Sequence, residues 1–359
     1  MGRFLILDIG AGTLDILCYD TESGLHYKAV VKSPVLAVAE KAAALPGNLV
    51  VTGTEMGGGA VSKVLIERAK QAEVVMSASA AATVHHNPEK VRSHGIQVVD
   101  DEEAERIRRR NRGFNALTLG DIDRTRLERL VQGLGIPFSF DVVGACAQDH
   151  GVPPEGISHL DYRHKIFKAR LDQSPFPRAL LYRDDAIPES FNRLRAISDS
   201  MKPMGREVYV MDSGMAAIQG ASMDPQVTGK SRFLVLDVAT SHTVGAAMQD
   251  GEIAGFFEYH TQDITLERIE ELLPDLAEGR LEHPRILAEG GHGAYIRKGF
   301  EFASAEIILA TGPKRRLLEQ SRLPIRPGAP LGDNMMTGTA GVLEAIRREK
   351  GYEPISSWS

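Results

Sequence analysis

The sequence predicts an α/β protein of two lobes, each built on a mixed β-sheet flanked by helices, with a cleft between them. The chain has 359 residues, which exceeds the size at which a single hydrophobic core stops growing. A meander of short apolar strands occupies residues 4–31, and alternating strands and helices follow it. A second meander at residues 232–259 repeats this order, which indicates an internal duplication.

The first half of the chain combines the meander with a strand–helix–strand pattern that is typical of a parallel sheet. Strands are predicted at residues 4–8, 15–19, 27–31, 48–52, 73–77 and 140–143, and helices at residues 57–69, 102–110 and 125–132. Residues 149–204 contain many prolines, charges and histidines without clear periodicity. This segment is predicted to be an irregular insertion or a connection between lobes.

The second half repeats the pattern and sets the predicted boundaries of the lobes. Strands are predicted at residues 232–237, 242–248, 252–259 and 306–310, and helices at residues 265–277, 314–320 and 338–350. Asp250 and Gly251 form a strong hairpin signal. We expect an N-terminal lobe of residues 1–205 and a C-terminal lobe of residues 206–337. Residues 338–359 are expected to hold a helix that returns to the N-terminal lobe.

Composition excludes several classes of protein. The net charge of −6 argues against a general nucleic-acid binder, and the basic run at residues 106–112 is interpreted as a solvated helix face. The chain has only two cysteines, Cys18 and Cys146, which excludes a disulfide framework and favours a reducing cytoplasm. The first residues begin a strand rather than a signal peptide, and no apolar stretch is long enough to cross a membrane.

The turn after the first strand has the residue types of a phosphate-binding loop. Its residues are Asp8, Gly10, Ala11, Gly12 and Thr13. Glycines let the backbone approach a phosphate so that amide groups can donate to its oxygens, and the threonine adds a hydroxyl. The aspartate suits a hard cation held through water. A plain glycine hairpin is the alternative interpretation.

The second meander carries a related loop at the equivalent position. Its residues are Asp237, Thr240, Ser241, His242 and Thr243. Two such loops could face each other across one polyphosphate. Asp8 and Asp237 would then hold Mg²⁺ through water, and the ion would relieve the repulsion between their like charges. His242 is interpreted either as a phosphate or water ligand or as an ordinary hydrogen-bonded histidine.

Two further segments lie in a suggestive order relative to these loops. Asp212 ends a predicted strand that runs into a helix rich in small residues, and a second helix of this kind covers residues 338–346. The two helices could cross closely, although generic tight packing explains either one equally well. An apolar strand also precedes a loop suited to the adenosine of a nucleotide, formed by Thr311, Gly312, Pro313 and Lys314.

The order of these motifs resembles that of the actin, heat-shock chaperone and sugar-kinase superfamily. The resemblance implies two ribonuclease H-like lobes, an actin-like ATPase fold, and ATP with Mg²⁺ in the cleft. In sugar kinases of the superfamily the catalytic base is an aspartate at the start of the first connecting segment, which is the position of Asp212. In its ATPases a polar side chain positions water instead. The second loop here lacks the usual Gly-Gly-Thr run, which puts efficient hydrolysis in doubt.

The whole sequence also resembles an uncharacterised family whose label names a pyruvate formate-lyase activating enzyme. A radical activase of that kind needs three closely spaced cysteines to hold an iron–sulfur cluster. The positions of Cys18 and Cys146 do not provide that spacing. Cys146 is also a poor match to the cluster-sharing cysteines of a dehydratase activator. We therefore do not expect an iron–sulfur activase.

Polar residues near glycine turns form a set of candidate substrate ligands. The set consists of Glu55, Gln148, Asp149, His150 and His292. Three more histidines, His85, His86 and His260, could belong to the same site. Histidines and carboxylates at such turns can bind a polar substrate or a metal ion, or can be ordinary structural hydrogen-bonding groups. The irregular spacing of the set leaves all three interpretations open.

Three functional hypotheses follow from these observations. The first is an ATP- and Mg²⁺-dependent enzyme, either a phosphotransferase acting on a small molecule or an ATPase that drives a protein partner, with Asp212 as the base of the transferase. The second is a nucleotide-gated binding or filament protein without kinase activity, which leaves a homodimer open. The third is a member whose cleft binds a ligand other than a nucleotide. None of them involves nucleic acid or a membrane.

Overall fold

A computed structural model describes residues 2–110, 113–353 and 355 of the chain. The last two residues of the predicted basic run, Asn111 and Arg112, lie outside this part. The strands are β1 Arg3–Ile9, β2 Thr13–Asp20, β3 His26–Lys32, β4 Asn48–Gly53, β5 Val74–Ser77, β6 Gln97–Val99, β7 Phe114–Leu119, β8 Val142–Ala147, β9 Leu181–Arg183, β10 Glu207–Asp212, β11 Arg232–Val238, β12 His242–Gln249, β13 Glu252–His260, β14 Gly293–Ile296, β15 Ile308–Thr311 and β16 Ile325–Pro327.

The helices alternate with the strands along most of the chain. They are α1 Pro34–Ala44, α2 Gly59–Ala69, α3 Ala78–Ala81, α4 Pro88–Arg92, α5 Asp101–Arg110, α6 Arg124–Gly133, α7 His159–Gln173, α8 Asn192–Met201, α9 Ser213–Ala221, α10 Leu266–Ala277, α11 His283–Ala288 and α12 Thr337–Glu349. The predicted helix at residues 314–320 is only a short 3₁₀ turn, Arg315–Leu318. Within the described residues, no helix is both long and apolar enough to span a bilayer.

The first sheet has the order β3-β2-β1-β8-β10-β9. The strands β1, β2 and β3 form an antiparallel meander, and β8 and β10 then add in parallel to β1. The register places Asp8 opposite both Asp15 and Cys146. Acidic side chains from neighbouring strands therefore come together at the end of β1.

The second sheet has the order β14-β13-β12-β11-β15-β16. Its strands β11, β12 and β13 again form an antiparallel meander, and β15 and β16 add in parallel to β11. With β9 and β14 left out of the count, both sheets have the strand order 3-2-1-4-5. This is the ribonuclease H-like topology, so the predicted duplication and the two-lobed α/β fold are confirmed.

A four-stranded unit lies between β3 and β8 in the chain. Its sheet has the order β6-β5-β4-β7 and is wholly parallel. Buried apolar residues of α1, α2 and the unit's strands form a core of its own. The strand–helix–strand pattern predicted after residue 48 belongs to this unit. Its basic helix α5 exposes Arg106, Arg108, Arg109 and Arg110 to solvent, as a solvated helix face does.

The segment of residues 149–204 is not irregular. It contains α7, β9 and α8, and α7 has 15 residues. Its buried side chains are Arg163, Phe167 and Leu171, so a charged residue occupies part of the buried face. This interrupts the apolar periodicity that would have revealed the helix. The first sheet also extends through β10, beyond the lobe boundary predicted at residue 206.

The helices α9 and α12 cross with their backbones in direct contact. A Cβ atom on Gly220 would overlap the carbonyl oxygen of Thr337, and one on Gly341 would overlap that of Ala216. Helix α12 also contacts β1 and β8 of the first sheet. Glycine is required at both positions because any side chain would push the two helices apart.

Gly341→Ala should therefore lower the free energy of unfolding by about 1–3 kcal/mol or more, through overpacking at the crossing. Gly133→Ala is the matched control, because Gly133 lies in helix α6 with open space around its Cβ position. Chemical denaturation of both variants measures the difference. Equal stability of the two variants would contradict the close crossing.

Candidate functional site

A cleft with a volume of about 830 Å³ is lined by residues of both lobes and of the four-stranded unit. This volume lies within the range of cavities that hold cofactors and other small molecules. Of the predicted site residues, the cleft brings together Asp8, Gly10, Ala11, Gly12, Thr13, Glu55, Gln148, Asp149, His150, Asp237, Thr240, Ser241, His242, Gly312 and Pro313.

The two predicted phosphate loops touch each other across the cleft. A Cβ atom on Gly12 would lie 2.9 Å from Cγ2 of Thr240. The first loop is held by its own backbone, since the amide of Gly10 donates to the carbonyl of Thr13 at 3.0 Å. The hydroxyl of Ser33 donates to the carbonyl of Gly10 at 2.6 Å and fixes the turn from outside. The two hairpin tips therefore form one rigid rim.

Three carboxyl groups lie beneath this rim and repel one another. Burial, together with the smaller effect of the charge of Asp237, raises the pKa of Asp8 to about 7, although a hydrogen bond with Cys146 lowers it in part. Burial raises the pKa of Asp237 to about 6. Burial and then the charge of Asp8 raise the pKa of Asp15 to about 8. Among the ion pairs of the described residues, none involves these three groups.

The surrounding residues satisfy these carboxyl groups only in part. Oδ1 of Asp15 is buried and has no hydrogen-bond partner. Asp237 accepts one hydrogen bond, from the hydroxyl of Thr311 at 2.8 Å. A Cβ atom on Gly338 would overlap the carboxyl group of Asp8, so the first turn of α12 lies directly against it. The group of acids is desolvated and only partly satisfied, which is the condition that a bound cation relieves.

Asp212 does not line the cleft, although its neighbours Ser213 and Gly214 do. It is the N-cap of α9, where Oδ1 accepts from the amide of Met215 at 3.1 Å. Its Oδ2 accepts from Nη2 of Arg163 at 2.8 Å. The expectation that Asp212 is the catalytic base is therefore at odds with its position, since both of its oxygens are bound and it is only 3% exposed.

Arg163 joins Asp212 to a second buried acid, Glu258, in one network. Nη1 of Arg163 donates to Glu258 at 2.6 Å, and Nε2 of Gln148 donates to the other oxygen of Glu258 at 2.7 Å. Burial opposes ionisation of Glu258, but the charge of Arg163 holds its pKa well below the usual range. Arg163 was not among the predicted site residues, because it lies in the segment of residues 149–204, which lacks apolar periodicity. The signal for Glu258 was an acid inside an apolar strand, residues 252–260, whose other acid, Glu252, lies at its first position.

Four more predicted ligands lie outside the lining of the cleft. Thr243 is buried and shares a hydrogen bond with Thr261 at 3.0 Å, and Thr311 supports Asp237 from behind. The amide of Lys314 donates to the carbonyl of Val238 at 2.9 Å, which ties the adenosine-type loop to the second sheet. His292 lies behind the wall, against His242 and His260. These residues support the cleft surface rather than forming it.

The four-stranded unit contributes a polar wall to the cleft. Nε2 of His86 lies 2.9 Å from Oε1 of Glu55. Burial disfavours the charged ring, but this hydrogen bond raises the pKa of His86. Oε2 of Glu55 and Nδ1 of His86 are both buried without a partner. This pair therefore presents one acceptor and one ring nitrogen that a ligand in the cleft would satisfy.

Other titratable groups near this wall are held by the protein. Asp149 accepts from the amides of Gly151 and Leu194 at 2.8 and 3.0 Å, while burial raises its pKa to about 6. Burial lowers the pKa of His150 to about 3 and that of His242 to about 3. Arg193 binds Asp121 through two nitrogens, at 2.8 and 3.0 Å, and this pair holds the side chain of Arg193 in the lining of the cleft. Both histidine rings are neutral near pH 7.

The family described as "Putative pyruvate format-lyase activating enzyme (DUF1786)" matches residues 56–317, which is more than half of the chain. No curated protein matches the sequence.

Solved structures with a similar fold are distant in sequence. EutJ, an ethanolamine utilization protein from Carboxydothermus hydrogenoformans, is 11% identical and covers 95% of this chain and 88% of its own, with a TM-score of 0.33. The ROK hexokinase from Thermus thermophilus is 14% identical and covers 97% and 99%, with a TM-score of 0.30. MreB5 of Spiroplasma citri, bound to ADP, is 11% identical and covers 97% and 96%, with a TM-score of 0.37.

The cysteines do not fit the iron–sulfur cluster that the family description implies. Cys18 lies on β2 and Cys146 on β8, and β1 runs between these strands in the sheet. Both are buried, and burial raises the pKa of each thiol, that of Cys18 to about 12. Cluster ligation needs thiolates at close spacing. The two cysteines of the chain provide neither.

Arg163→Met should lower the free energy of unfolding by about 3–5 kcal/mol, because it leaves Asp212 and Glu258 buried without their cation. Lys168→Met on the same helix is the control, since Lys168 is 54% exposed and pairs with Asp172 at the surface. It should change stability by less than about 1 kcal/mol. Urea denaturation compares the two, and similar losses in both would contradict the network.

Proposed function

We propose that this chain, which belongs to the family matched over residues 56–317, binds ATP with Mg²⁺ in the cleft and acts as a phosphotransferase or an ATPase. One observation carries the proposal. Two hairpin tips from distant parts of the chain, at Gly12 and Thr240, meet above Asp8 and Asp237, whose carboxyl groups have no ion-pair partner among the described residues.

The carboxyl groups fit a magnesium site. Asp8 and Asp237 are each the last residue but one of equivalent strands in the two lobes, and Asp15 adds a buried oxygen without a hydrogen-bond partner among the described residues. Mg²⁺ keeps several of its waters and binds through one or two carboxylates together with phosphate oxygens. When bound, the ion would neutralise charge that develops on the transferred phosphoryl group. Asp8 and Asp237 would hold it through water.

The rest of the nucleotide would be held by the loops. Backbone amides at Gly10, Ala11 and Gly12 and the hydroxyls of Thr13, Thr240 and Ser241 are the groups available to phosphate oxygens. Gly312 and Pro313, with Asn334 and Met335, line the part of the cleft that suits adenosine. The side chain of Asn334 donates to the carbonyl of Gly312 at 3.1 Å and holds this surface together.

The acceptor of a phosphotransferase would lie against the polar wall of the four-stranded unit. Glu55 and His86 present buried atoms that have no hydrogen-bond partner in the part of the chain that the structure describes. A small polar molecule with a hydroxyl group could satisfy both, and Glu55 could then accept its proton. Asp212 instead serves as a positioning residue, because it holds Arg163 and the start of α9 in place.

Asp8→Asn and Asp237→Asn should each weaken ATP binding in the presence of Mg²⁺ by at least about tenfold, which corresponds to about 1.4 kcal/mol. The physical reason is the loss of one of the two negative charges that would hold the hydrated ion. Titration calorimetry with ATP and Mg²⁺ measures the effect. Asp250→Asn is the control, since Asp250 is an exposed hairpin residue with a positive φ of 56° that asparagine also adopts.

Two outcomes would overturn the nucleotide proposal. The first is the absence of any ATP binding by the unaltered chain at millimolar concentration. The second is equal affinity of the Asp8→Asn, Asp237→Asn and Asp250→Asn variants, with and without Mg²⁺.

Glu55→Gln should leave ATP affinity within about twofold while lowering the rate of ADP formation by about 10²-fold, since removal of a general base costs that order of rate. The assay measures ADP release in the presence of candidate hydroxyl acceptors. Glu67→Gln on the exposed face of α2 serves as the control. A normal rate in Glu55→Gln would remove Glu55 from the reaction.

A nucleotide-gated binding or filament role is the second candidate, and one observation favours it. Strand β3 is an edge of the first sheet, and the large apolar side chains of Leu25, Tyr27 and Val30 at this edge are 57%, 38% and 41% exposed. Exposed apolar edge strands are prone to pair with another chain. Sedimentation with and without ATP separates the two functions, because only the filament role predicts ATP-dependent assembly.

A further inference from the structure

Three histidines converge at one edge of the second sheet. His242 is the first residue of β12, His260 is the last residue of β13, and the two lie directly opposite in the register. His292 immediately precedes β14, and its amide donates to the carbonyl of Glu258 at 2.8 Å. Three adjacent strands thus deliver one imidazole each to the same place.

The rings are close enough to bind one ion. One ring nitrogen of each histidine lies within 4.8 Å of those of the other two. The ring centroids are 4.5 Å apart for His242 and His260, 4.8 Å for His242 and His292, and 4.3 Å for His260 and His292. Nitrogens bound tetrahedrally to zinc at about 2.05 Å lie about 3.4 Å from one another. Ring rotations that move each nitrogen by about 1 Å would close the difference.

One ring nitrogen of His242 and one of His292 lack hydrogen-bond partners among the described residues. Nε2 of His242 and Nδ1 of His292 are both buried without a hydrogen bond. The side chain of His292 is only 7% exposed, so bulk solvent does not satisfy it. Buried polar atoms without partners are uncommon and destabilising. The unpartnered Nε2 of His242, whose ring lines the cleft, points to a missing ligand of this cluster.

We propose that His242, His260 and His292 form a binding site for one divalent transition-metal ion of the zinc class, with a coordination position open to the cleft. The site goes beyond the proposed nucleotide function and does not depend on it. Its ligands are separate from the carboxyl groups of Asp8 and Asp237.

The donor set determines the class of ion. Three neutral imidazoles suit Zn²⁺, Co²⁺, Ni²⁺ or Fe²⁺, whereas Mg²⁺ and Ca²⁺ prefer oxygen ligands. Three protein ligands with a free fourth position are typical of zinc sites that act on a bound molecule, while structural sites use four. The backbone of Ser241 hydrogen-bonds to the ring of His260. Such contacts orient ligand histidines in known metal sites.

Glu258 is placed to orient His292. Its Oε1 lies 3.7 Å from Nδ1 of His292, which is slightly too long for a hydrogen bond. Its other oxygen is held by Arg163. A small rotation of the His292 ring toward the cluster would place Nδ1–H on this carboxylate and Nε2 on the ion, as in carboxylate–histidine–metal arrangements. Glu258 would thus be a positioning residue for the metal site.

The open position faces the cleft. His242 and His260 line the cavity, and so do Thr240 and Ser241, the two loop residues directly before His242 in the chain. An oxygen of a cleft ligand, such as a phosphate oxygen, can therefore reach the ion. This geometry would place a Lewis acid on the wall formed by the second sheet.

The test is a metal titration of the full-length, tag-free chain without nucleotide. After treatment with a chelator, Zn²⁺ is added in competition with a chromophoric indicator, and Co²⁺ is added while its visible spectrum is recorded. We expect one ion per chain, a Kd for Zn²⁺ below about 1 µM, and the intense absorption of tetrahedral Co²⁺. His260→Gln and His292→Gln should each weaken Zn²⁺ binding by about 10²-fold or more.

His94→Gln is the matched control, because His94 is an exposed histidine of the four-stranded unit outside the cluster. It should bind Zn²⁺ like the unaltered chain. The inference is overturned if the unaltered chain takes up no Zn²⁺ or Co²⁺. It is also overturned if His260→Gln and His292→Gln bind Zn²⁺ as tightly as His94→Gln does. If a bound water rather than a metal ion satisfies the rings, the chain takes up no metal and added Zn²⁺ leaves its free energy of unfolding unchanged, and this outcome also overturns the inference.

A second measurement tests the open position. Addition of inorganic phosphate to the Co²⁺-loaded chain should shift the visible absorption bands, since phosphate would enter the coordination sphere. An unchanged spectrum at millimolar phosphate would overturn the open position. Because no ATP is present in either measurement, failure of the metal site and failure of the nucleotide proposal are distinguishable.

Discussion

The cleft depends on the close crossing of α9 and α12. Helix α9 links the last long strand of the first sheet to the first strand of the second, and α12 packs across it at Gly220 and Gly341. Because no side chain separates the two backbones, the start of α12 comes directly against Asp8. This contact therefore holds both lobes and the acids beneath the loops in place. A single methyl group added at the crossing would push the two helices apart.

The two groups of buried acids at the cleft differ in whether a cation lies beside them. Asp212 and Glu258 share the guanidinium of Arg163, whose single positive charge compensates part of their negative charge, although burial still raises the pKa of Asp212. Asp8 and Asp237 share no such cation among the described residues, and burial raises the pKa of both. Desolvated charge of this kind is retained where a ligand supplies the compensation. This difference distinguishes the structural network around Arg163 from the candidate cation site at Asp8 and Asp237.

Much of the fold was predictable because its signals are local. Each meander combines apolar strands with turn residues, and the paired loops after Asp8 and Asp237 follow from strand ends and small residues. Helix α7 was missed because Arg163 lies on its buried face, and the 3₁₀ turn Arg315–Leu318 was mistaken for a helix because short helical turns share the same spacing.

The sequence by itself determined the two duplicated meanders, the glycine and hydroxyl loops at their ends, and the absence of a cysteine set for a cluster, since these depend on residue type and local spacing. Only the tertiary structure decided that Asp212 pairs with Arg163, 49 residues away, and that His242, His260 and His292 share one place. The physical reason is that pairing and burial are set by side chains from elements distant along the chain, and no local pattern records which of them will meet.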